Sequence, residues 1–263
     1  MQEVDNASSR RETFLNAAEF SFATGMRLVP QRWRFGASML IAGASLPLFR
    51  LTNEYREQRL KGFDNSREIA LHFVLNALSK NGTKFHIPIK LRGSDELDRA
   101  LDSGKGVLVM GPHAALTVLM VRLFHDRGLN PVVVTPDPNM RISGTSLTAR
   151  TLQPSRTFLV KIMNALRRGE MVCAMPDRAE HHGERTLEFT TVNGRVIVSP
   201  ALMRVAAHSE AKVIFTEVHL EGRALVAALA SASTGPAGAN DTITKDFIEF
   251  VRARAEARAT YQY

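Results

Sequence analysis

The sequence contains very little cysteine, tryptophan or tyrosine. Its 263 residues include one cysteine, one tryptophan and three tyrosines. A single cysteine excludes a disulfide framework within the chain and is typical of a reducing compartment, so we expect a cytoplasmic location. The scarcity of tryptophan and tyrosine, and the lack of a recognisable nucleic-acid motif, argue against a nucleic-acid-binding protein.

The only cysteine, Cys173, lies in a short apolar run, residues 171–175. A reactive cysteine needs a neighbouring group that lowers its pKa, and no polar residue stands close to it in the sequence. We therefore interpret Cys173 as a packing residue of the core rather than as a nucleophile.

No apolar stretch has the length of a membrane-spanning helix. The longest uncharged stretch, residues 35–49, falls short of the about 20 residues that cross a bilayer. Arginines flank it on both sides and Trp33 stands at its edge, which suits a helix lying among the headgroups of an anionic membrane. A helix hairpin buried within the domain is the alternative. The first residues are polar and of mixed charge, so we expect no signal peptide.

Acidic residues are scarce in two stretches of a chain that is basic as a whole. Thirty-four Lys and Arg against 26 Asp and Glu give a formal net charge of +8. Residues 69–94 and 138–169 contain basic side chains and no acidic one. Such a surplus indicates an anionic partner: nucleic acid, acidic lipid headgroups or a phosphorylated substrate. A solvated basic face is the plainer interpretation.

The pattern along the chain predicts one α/β domain over residues 1–263. Residues 12–80 form a helical N-terminal region that we expect either to contact a membrane or to pack inside. After Gly104 short apolar strands alternate with helices, which predicts a mostly parallel central sheet covered by helices. We expect strands at 107–110, 131–135, 171–175, 212–218 and 224–230, and helices at 114–128, 155–168, 200–207 and 245–258. Residues 186–198 read as a hairpin that turns at Asn193.

Polar residues follow two of the predicted strands. His113 comes after the strand at 107–110, at the start of a helix, and Asp177 and Arg178 come after the strand at 171–175. Because sites in open α/β sheets form at the carboxyl ends of strands, His113 is a candidate general base for an attacking hydroxyl or amine. The loop at 175–183 adds further polar side chains, although a plain polar loop fits as well. Its two adjacent histidines, 181 and 182, lack further ligands in a metal-binding pattern, so we expect no metal.

Five stretches of this sequence resemble one family. They are GKGVLVMGPH (104–113), MPDR (175–178), GRVIVSPA (194–201), AKVIF (211–215) and DTITKDFIE (241–249), and the region around residues 28–30 follows the same layout. In order and spacing they resemble the lipid A biosynthesis acyltransferases (lauroyl and myristoyl transferases) of the lysophospholipid acyltransferase superfamily. The resemblance covers nearly the whole chain.

This resemblance implies an acyl transfer. The family's histidine activates an acceptor hydroxyl, which attacks an acyl thioester of acyl carrier protein or coenzyme A, with no other cofactor. An acid five residues after the histidine orients the imidazole, and a basic groove receives phosphates. By position, Arg141 and Arg156 correspond to the family's phosphate-contacting arginine, and Arg178 is a further substrate-binding candidate.

The chain departs from the family at the orienting acid. Val118 stands five residues after His113, and the adjacent Thr117 can accept a hydrogen bond but brings no charge. Three interpretations remain open. Asp177 or Glu180 supplies the acid, or the acceptor is reactive enough, such as an amine, for His113 to suffice, or the protein has kept binding and lost catalysis.

Other departures concern the ends of the chain. The family's Pro- and Trp-rich ending and its N-terminal membrane span have no counterpart in this sequence. They argue against routine lipid A acylation and favour a divergent bacterial relative that acylates an amino, peptidyl or specialised-metabolite acceptor. The expected partners are a thioester of acyl carrier protein or coenzyme A and a lipid, amine or metabolite acceptor. An inactive lipid- or carrier-binding protein, a thioester hydrolase and, more remotely, a nucleic-acid binder are the competing classes.

Overall fold

The computed structural model describes residues 21–50, 66–177, 186–192, 194–233 and 239–260. The strands are β1 (Ile89–Arg92), β2 (Val107–Met110), β3 (Val132–Val134), β4 (Arg150–Leu152), β5 (Met171–Ala174), β6 (Leu187–Thr191), β7 (Gly194–Val198), β8 (Lys212–Glu221) and β9 (Ala224–Ser231). The helices are α1 (Gln31–Phe49), α2 (Ser66–Lys80), α3 (Ser94–Asp102), α4 (Leu119–Asp126), α5 (Phe158–Arg167), α6 (Ala201–His208) and α7 (Ala239–Thr260), and residues 21–28 are also helical.

Seven of these strands form a central sheet that is almost entirely parallel. Its order is β1-β9-β8-β2-β5-β3-β4, and only β8 and β9 pair in the antiparallel sense within the described sheet. All four residues of β2, at the centre, are buried, as is typical of a parallel strand covered on both faces. The predicted α/β class, with a mostly parallel, helix-covered sheet and a helical N-terminal region, is confirmed.

Each face of the sheet has its own apolar core. One face packs against α2, α3 and α4, with Leu78, Leu97 and Phe124 fully buried. The opposite face packs against α5, α6 and α7, where Phe215 of β8 meets Phe247 edge to face at 5.5 Å between ring centroids. Hence α4 and α5 lie on opposite faces of the same strands, and both reach the carboxyl edge of the sheet.

The N-terminal helices pack on the first of these faces. α1 contacts α2 and buries Phe35, while Trp33 and Leu40 on its outer side are 60% and 75% exposed. No described helix is long and apolar enough to cross a bilayer. The stretch at 35–49 is therefore part of a helix that packs its inner side against α2 and leaves Leu40 exposed on its outer side.

Several predicted element bounds need correction. The helix after His113 begins at Leu119 and not at residue 114, because residues 115–118 form tight turns in which Leu119 and Met120 donate to carbonyls three residues earlier. β1, β4 and α3 were not expected from the sequence. β1 and β4 are edge strands of only three or four residues, too short for a periodic apolar signal.

An ion pair joins two strands across β9. Arg92 of β1 donates to both carboxylate oxygens of Glu221 of β8, at 2.5 and 2.7 Å. These hydrogen bonds hold the pKa of Glu221 below its ordinary value. A carboxyl whose pKa is lowered by folding stabilises the fold at neutral pH, and this contribution disappears as the pH falls through the lowered pKa.

We therefore expect Glu221→Gln to lower the free energy of unfolding at pH 7 and to have little effect at a pH below the lowered pKa of Glu221, where the wild-type carboxyl is also protonated. Urea unfolding at several pH values measures the difference. Glu249→Gln, in an exposed pair 3.9 Å from Lys245, serves as the control and should change little at any pH. A Glu221→Gln effect that is equally large at both pH values would contradict this expectation.

Candidate functional site

Three neighbouring strands end in a proline followed by a polar residue. β2, β5 and β3 are adjacent in the sheet, and after them come Pro112-His113, Pro176-Asp177 and Pro136-Asp137. Proline has no main-chain N–H to continue a ladder, so each strand stops there and the next side chain lies at the sheet edge. Since the strands are parallel, His113, Asp177 and Asp137 form one polar rim.

A hydrogen bond joins two members of this rim. Asp177 Oδ2 accepts the main-chain N–H of His113 at 2.6 Å, and both residues are partly buried. The carboxyl group of Asp177 therefore fixes the backbone that carries the imidazole. The structure thus brings together the two candidates that the sequence placed on separate strand ends.

A cavity of about 590 Å³ opens beneath the rim. Its size lies within the range of small-molecule sites, and like them it has mostly apolar walls with a few polar groups. His113, Asp137, Thr117, Thr135, Gln153, Ser199 and Thr216 are among its polar lining residues. Such a cavity can hold an apolar chain whose reactive head stays at His113.

The cavity straddles the sheet edge and has an arm on each face. The α4 arm is lined by Val109, Cys173 and Val133, whose side chains share the face that α4 covers. The α5 arm, on the other face, is lined by Val134, Ala174, Phe158, Leu159 and Leu202. Exposed Pro136, Gln153 and Pro154 border the cavity and open it to solvent.

Cys173 is a wall residue of this cavity. Its apolar surroundings raise the pKa of the thiol to about 12, so it stays protonated at neutral pH and is a poor nucleophile. This agrees with its interpretation as a packing residue.

Val118, at the position of the family's acid, and the adjacent Thr117 have structural roles. Thr117 is buried, and its hydroxyl donates to the carbonyl of Pro112 at 3.0 Å. This bond closes the turn that carries His113. Val118 is partly buried and lines the cavity, so an apolar side chain occupies the wall at the place where the family resemblance implies a carboxylate.

A second cavity of about 260 Å³ adjoins the first and shares His72, Val118, Asp137 and Met140 with it. Arg141, one of the predicted substrate-binding residues, lines this smaller cavity together with Lys80. Arg156 is exposed and lines neither cavity. Arg178, Glu180 and the histidines at 181 and 182 lie outside the described residues.

Two ionisable lining residues, Asp137 and His72, were not predicted from the sequence. Asp137 follows β3 in the same Pro-polar pattern as His113 and Asp177, and a search for that repeat would have found it. His72 comes from α2, far from any strand end, and no sequence signal points to it. Among the described residues no group of three His, Cys, Asp or Glu side chains is arranged to hold a metal ion.

Two other histidines, His219 and His208, make contacts within the fold away from the two cavities. His219 of β8 is buried between carboxylates, with Nδ1 3.1 Å from Glu217 and Nε2 3.2 Å from Glu221. His208 is exposed at the end of α6, and its Nδ1 lies 2.8 Å from the carbonyl of Arg204. Neither lines the two cavities.

Gly111 allows β2 and β8 to approach closely at the site. A Cβ atom there would lie 2.5 Å from the carbonyl oxygen of Thr216. We expect Gly111→Ala to destabilise the protein by about 1–3 kcal/mol, because backbone must move. Gly36→Ala is the control, since nothing lies within 4 Å of its Cβ position and alanine favours a helix by about 1 kcal/mol. Urea unfolding that shows Gly111→Ala as stable as wild type would refute the close approach.

Comparison with protein families identifies the site's relatives. Residues 66–226, more than half of the chain, match the family described as bacterial lipid A biosynthesis acyltransferase. This match confirms the family resemblance over the motifs between residues 104 and 215, and it spans every residue that lines the larger cavity. The motif at 241–249 lies outside the matched residues. No individually curated protein matches the chain.

Proposed function

The chain belongs to the bacterial lipid A biosynthesis acyltransferase family, and on that premise we propose that the protein uses its larger cavity to transfer a fatty acyl group from a thioester to a hydroxyl or amine. The observation that carries the proposal is the position of His113. Its side chain lines an apolar cavity of about 590 Å³ at a polar rim. An acyl chain buried in the cavity leaves its thioester carbonyl at this imidazole.

The chemistry uses His113 as a general base. An imidazole nitrogen takes the proton of the acceptor O–H or N–H as the acceptor's lone pair forms a bond to the thioester carbonyl carbon. The tetrahedral intermediate then collapses, the C–S bond breaks, and the proton passes from His113 to the sulfur. The products are an ester or amide and a free thiol.

Asp177 is the proposed acid partner of His113. It lies at the neighbouring strand end, and its carboxylate bonds to the main chain of His113 at 2.6 Å. A negative charge held there favours the imidazolium that forms during proton transfer. Glu180 remains a second candidate from the sequence, and Thr117 supports the turn through its bond to Pro112.

The basic residues near the cavities favour binding of an anionic acyl carrier. Arg141 and Lys80 line the smaller cavity. Arg156 is exposed and lies two residues after Pro154, which borders the α5 arm of the larger cavity. Guanidinium groups bind phosphates of coenzyme A or of an acyl carrier protein well. Arg178 is retained as a candidate on the sequence alone.

Contact with an anionic membrane is a further part of the proposal. Leu28, Trp33 and Leu40 are exposed on the N-terminal helices, with Arg32 stacked on Trp33 at 5.3 Å. Exposed apolar and basic side chains on one helix suit the headgroup region of a bilayer. The protein would then be peripheral, on the inner face of a bacterial membrane.

The second candidate function is an inactive lipid- or carrier-binding protein. The observation that favours it is Val118, an apolar residue in the family's acid position on the cavity wall. A binder would use the same cavity and would need no base.

One experiment separates these functions. The purified protein is incubated with acyl-coenzyme A or acyl carrier protein donors that carry a labelled acyl group, with and without a bacterial extract as acceptor. Label in a new ester or amide that depends on the extract supports acyl transfer. Label released as free fatty acid in both samples indicates a hydrolase, and intact donor that remains bound to the protein indicates the binding protein. Either of these outcomes rejects the transferase.

A further inference from the structure

We infer that a row of three side chains at the bottom of the α4 arm sets the length of the acyl chain, with Cys173 at its centre. The inference rests on the proposed function, since it assigns the acyl chain to one arm of the cavity. It names the specificity-determining residues of this chain for that acyl group.

The row follows from the register of the sheet. Val109 of β2 pairs with Cys173 of β5, which pairs with Val133 of β3. All three line the cavity. They therefore stand side by side across three strands, about 4.8 Å apart from one strand to the next, and close the arm as a continuous floor.

The floor is closed because the next residues inward are packed. Val107 and Met171 lie two positions deeper on the same face of β2 and β5. Both are buried, at 1% and 8% exposure, and neither lines the cavity. A chain that enters at the rim ends at the row.

The distance from rim to floor is the same on all three strands. His113, Asp177 and Asp137 each follow their floor residue, Val109, Cys173 and Val133, by four positions. At about 3.3 Å per residue this is at most roughly 13 Å. An extended hydrocarbon advances by roughly 1.3 Å per carbon, given C–C bonds of about 1.5 Å, so the arm holds on the order of ten carbons.

The α4 arm suits the acyl chain better than the α5 arm does. Met120 and Val121 of α4 cover it, and its floor residues are apolar. Exposed Gln153 and Pro154 come from the chain between β4 and α5. A carrier thioester, which must reach the surface, therefore fits the α5 side, and the hydrocarbon fits the closed side.

The test measures the affinity of fatty acids with 6 to 16 carbons by titration calorimetry, beside transfer rates from the matching thioesters. Each buried methylene strengthens binding about fourfold. We expect this gain to stop at roughly ten carbons in the wild type. In Cys173→Phe the ring should displace two to three methylenes, so affinity for the longest well-bound chain falls about 15- to 60-fold, while six-carbon chains are unaffected.

Two further samples guard against misfolding of the variant. Cys173→Met places a longer but flexible side chain at the same position, which shortens the arm with less strain on the surrounding core than a ring causes. Val160→Phe adds a ring of the same size at an exposed position of α5 outside both cavities, and the chain-length limit should stay as in the wild type.

The outcomes distinguish this inference from the proposed function. A limit that moves to shorter chains in Cys173→Phe and in Cys173→Met supports the floor, even if no thioester is consumed and the transferase proposal fails. An unchanged limit in both samples, or no limit in the wild type, overturns the floor, and acyl transfer can still stand.

Discussion

Exchange of His113 for alanine is expected to lower the rate of acyl transfer by roughly 10²–10⁴-fold, the contribution of a positioned general base. The imidazole lines the cavity at its polar rim, and no other histidine follows one of the three strand ends among the described residues. Without it the acceptor would have to lose its proton to water. Binding of the acyl chain should stay nearly unchanged, because the apolar walls remain.

The control is His208→Ala, which removes an exposed imidazole at the end of α6, remote in sequence from the rim. It should retain the wild-type rate. Initial rates of thiol release, measured with fatty-acid affinity on the same samples, separate lost chemistry from lost binding. If His113→Ala keeps its rate within about threefold, the general base is another group, and the mechanism proposed above is wrong.

The sheet was predictable from the sequence because its central strands are short apolar runs that end in proline. Val107–Met110 is a strand with the expected bounds, and Gly169 ends α5 with a φ of 78° as a glycine after a helix does. The edge strands β1 and β4 were not predictable. Their pairing depends on contacts that are distant in sequence, between β1 and β9 and between β4 and β3.

The site was predictable in part for the same reason. His113 and Asp177 were identified because both follow apolar strands, and the fold places those strands side by side. Asp137 was missed although it follows a predicted apolar strand and Pro136 precedes it in the same way. His72 and Val118 meet the cavity through packing of α2 and of the turns before α4, which no local pattern encodes.

Asp177→Asn is expected to lower acyl transfer by at least about tenfold and by up to roughly 10⁴-fold, the loss caused when an orienting carboxylate is neutralised in other catalytic systems. The amide oxygen can still accept the main-chain N–H of His113, so the variant removes charge and largely keeps the geometry. Asp137→Asn is the matched comparison, since Asp137 lies on the same rim and accepts the N–H of Asn139 at 2.9 Å. Its effect should be smaller, because its hydrogen bond goes to Asn139, whereas that of Asp177 goes to His113. If both variants lose the same fraction of the transfer rate, catalysis depends on the total negative charge of the rim and His113 has no specific acid partner.

Val118→Asp in the Asp177→Asn background tests whether the acid has moved between two positions of one site. Val118 is five residues after His113 and lines the same cavity. A carboxylate there would restore the family spacing and regain at least about tenfold of the lost rate, whereas Val118→Asp alone should give little gain because Asp177 already supplies the charge. A double-mutant cycle on initial rates gives the coupling between the two positions. Thermal unfolding is measured alongside, because a partly buried acid costs stability. If the double variant folds and stays as slow as Asp177→Asn, the two carboxylates are not equivalent. The charge would then have to stand at the position of Asp177, and position 118 would not serve as an acid position in this site.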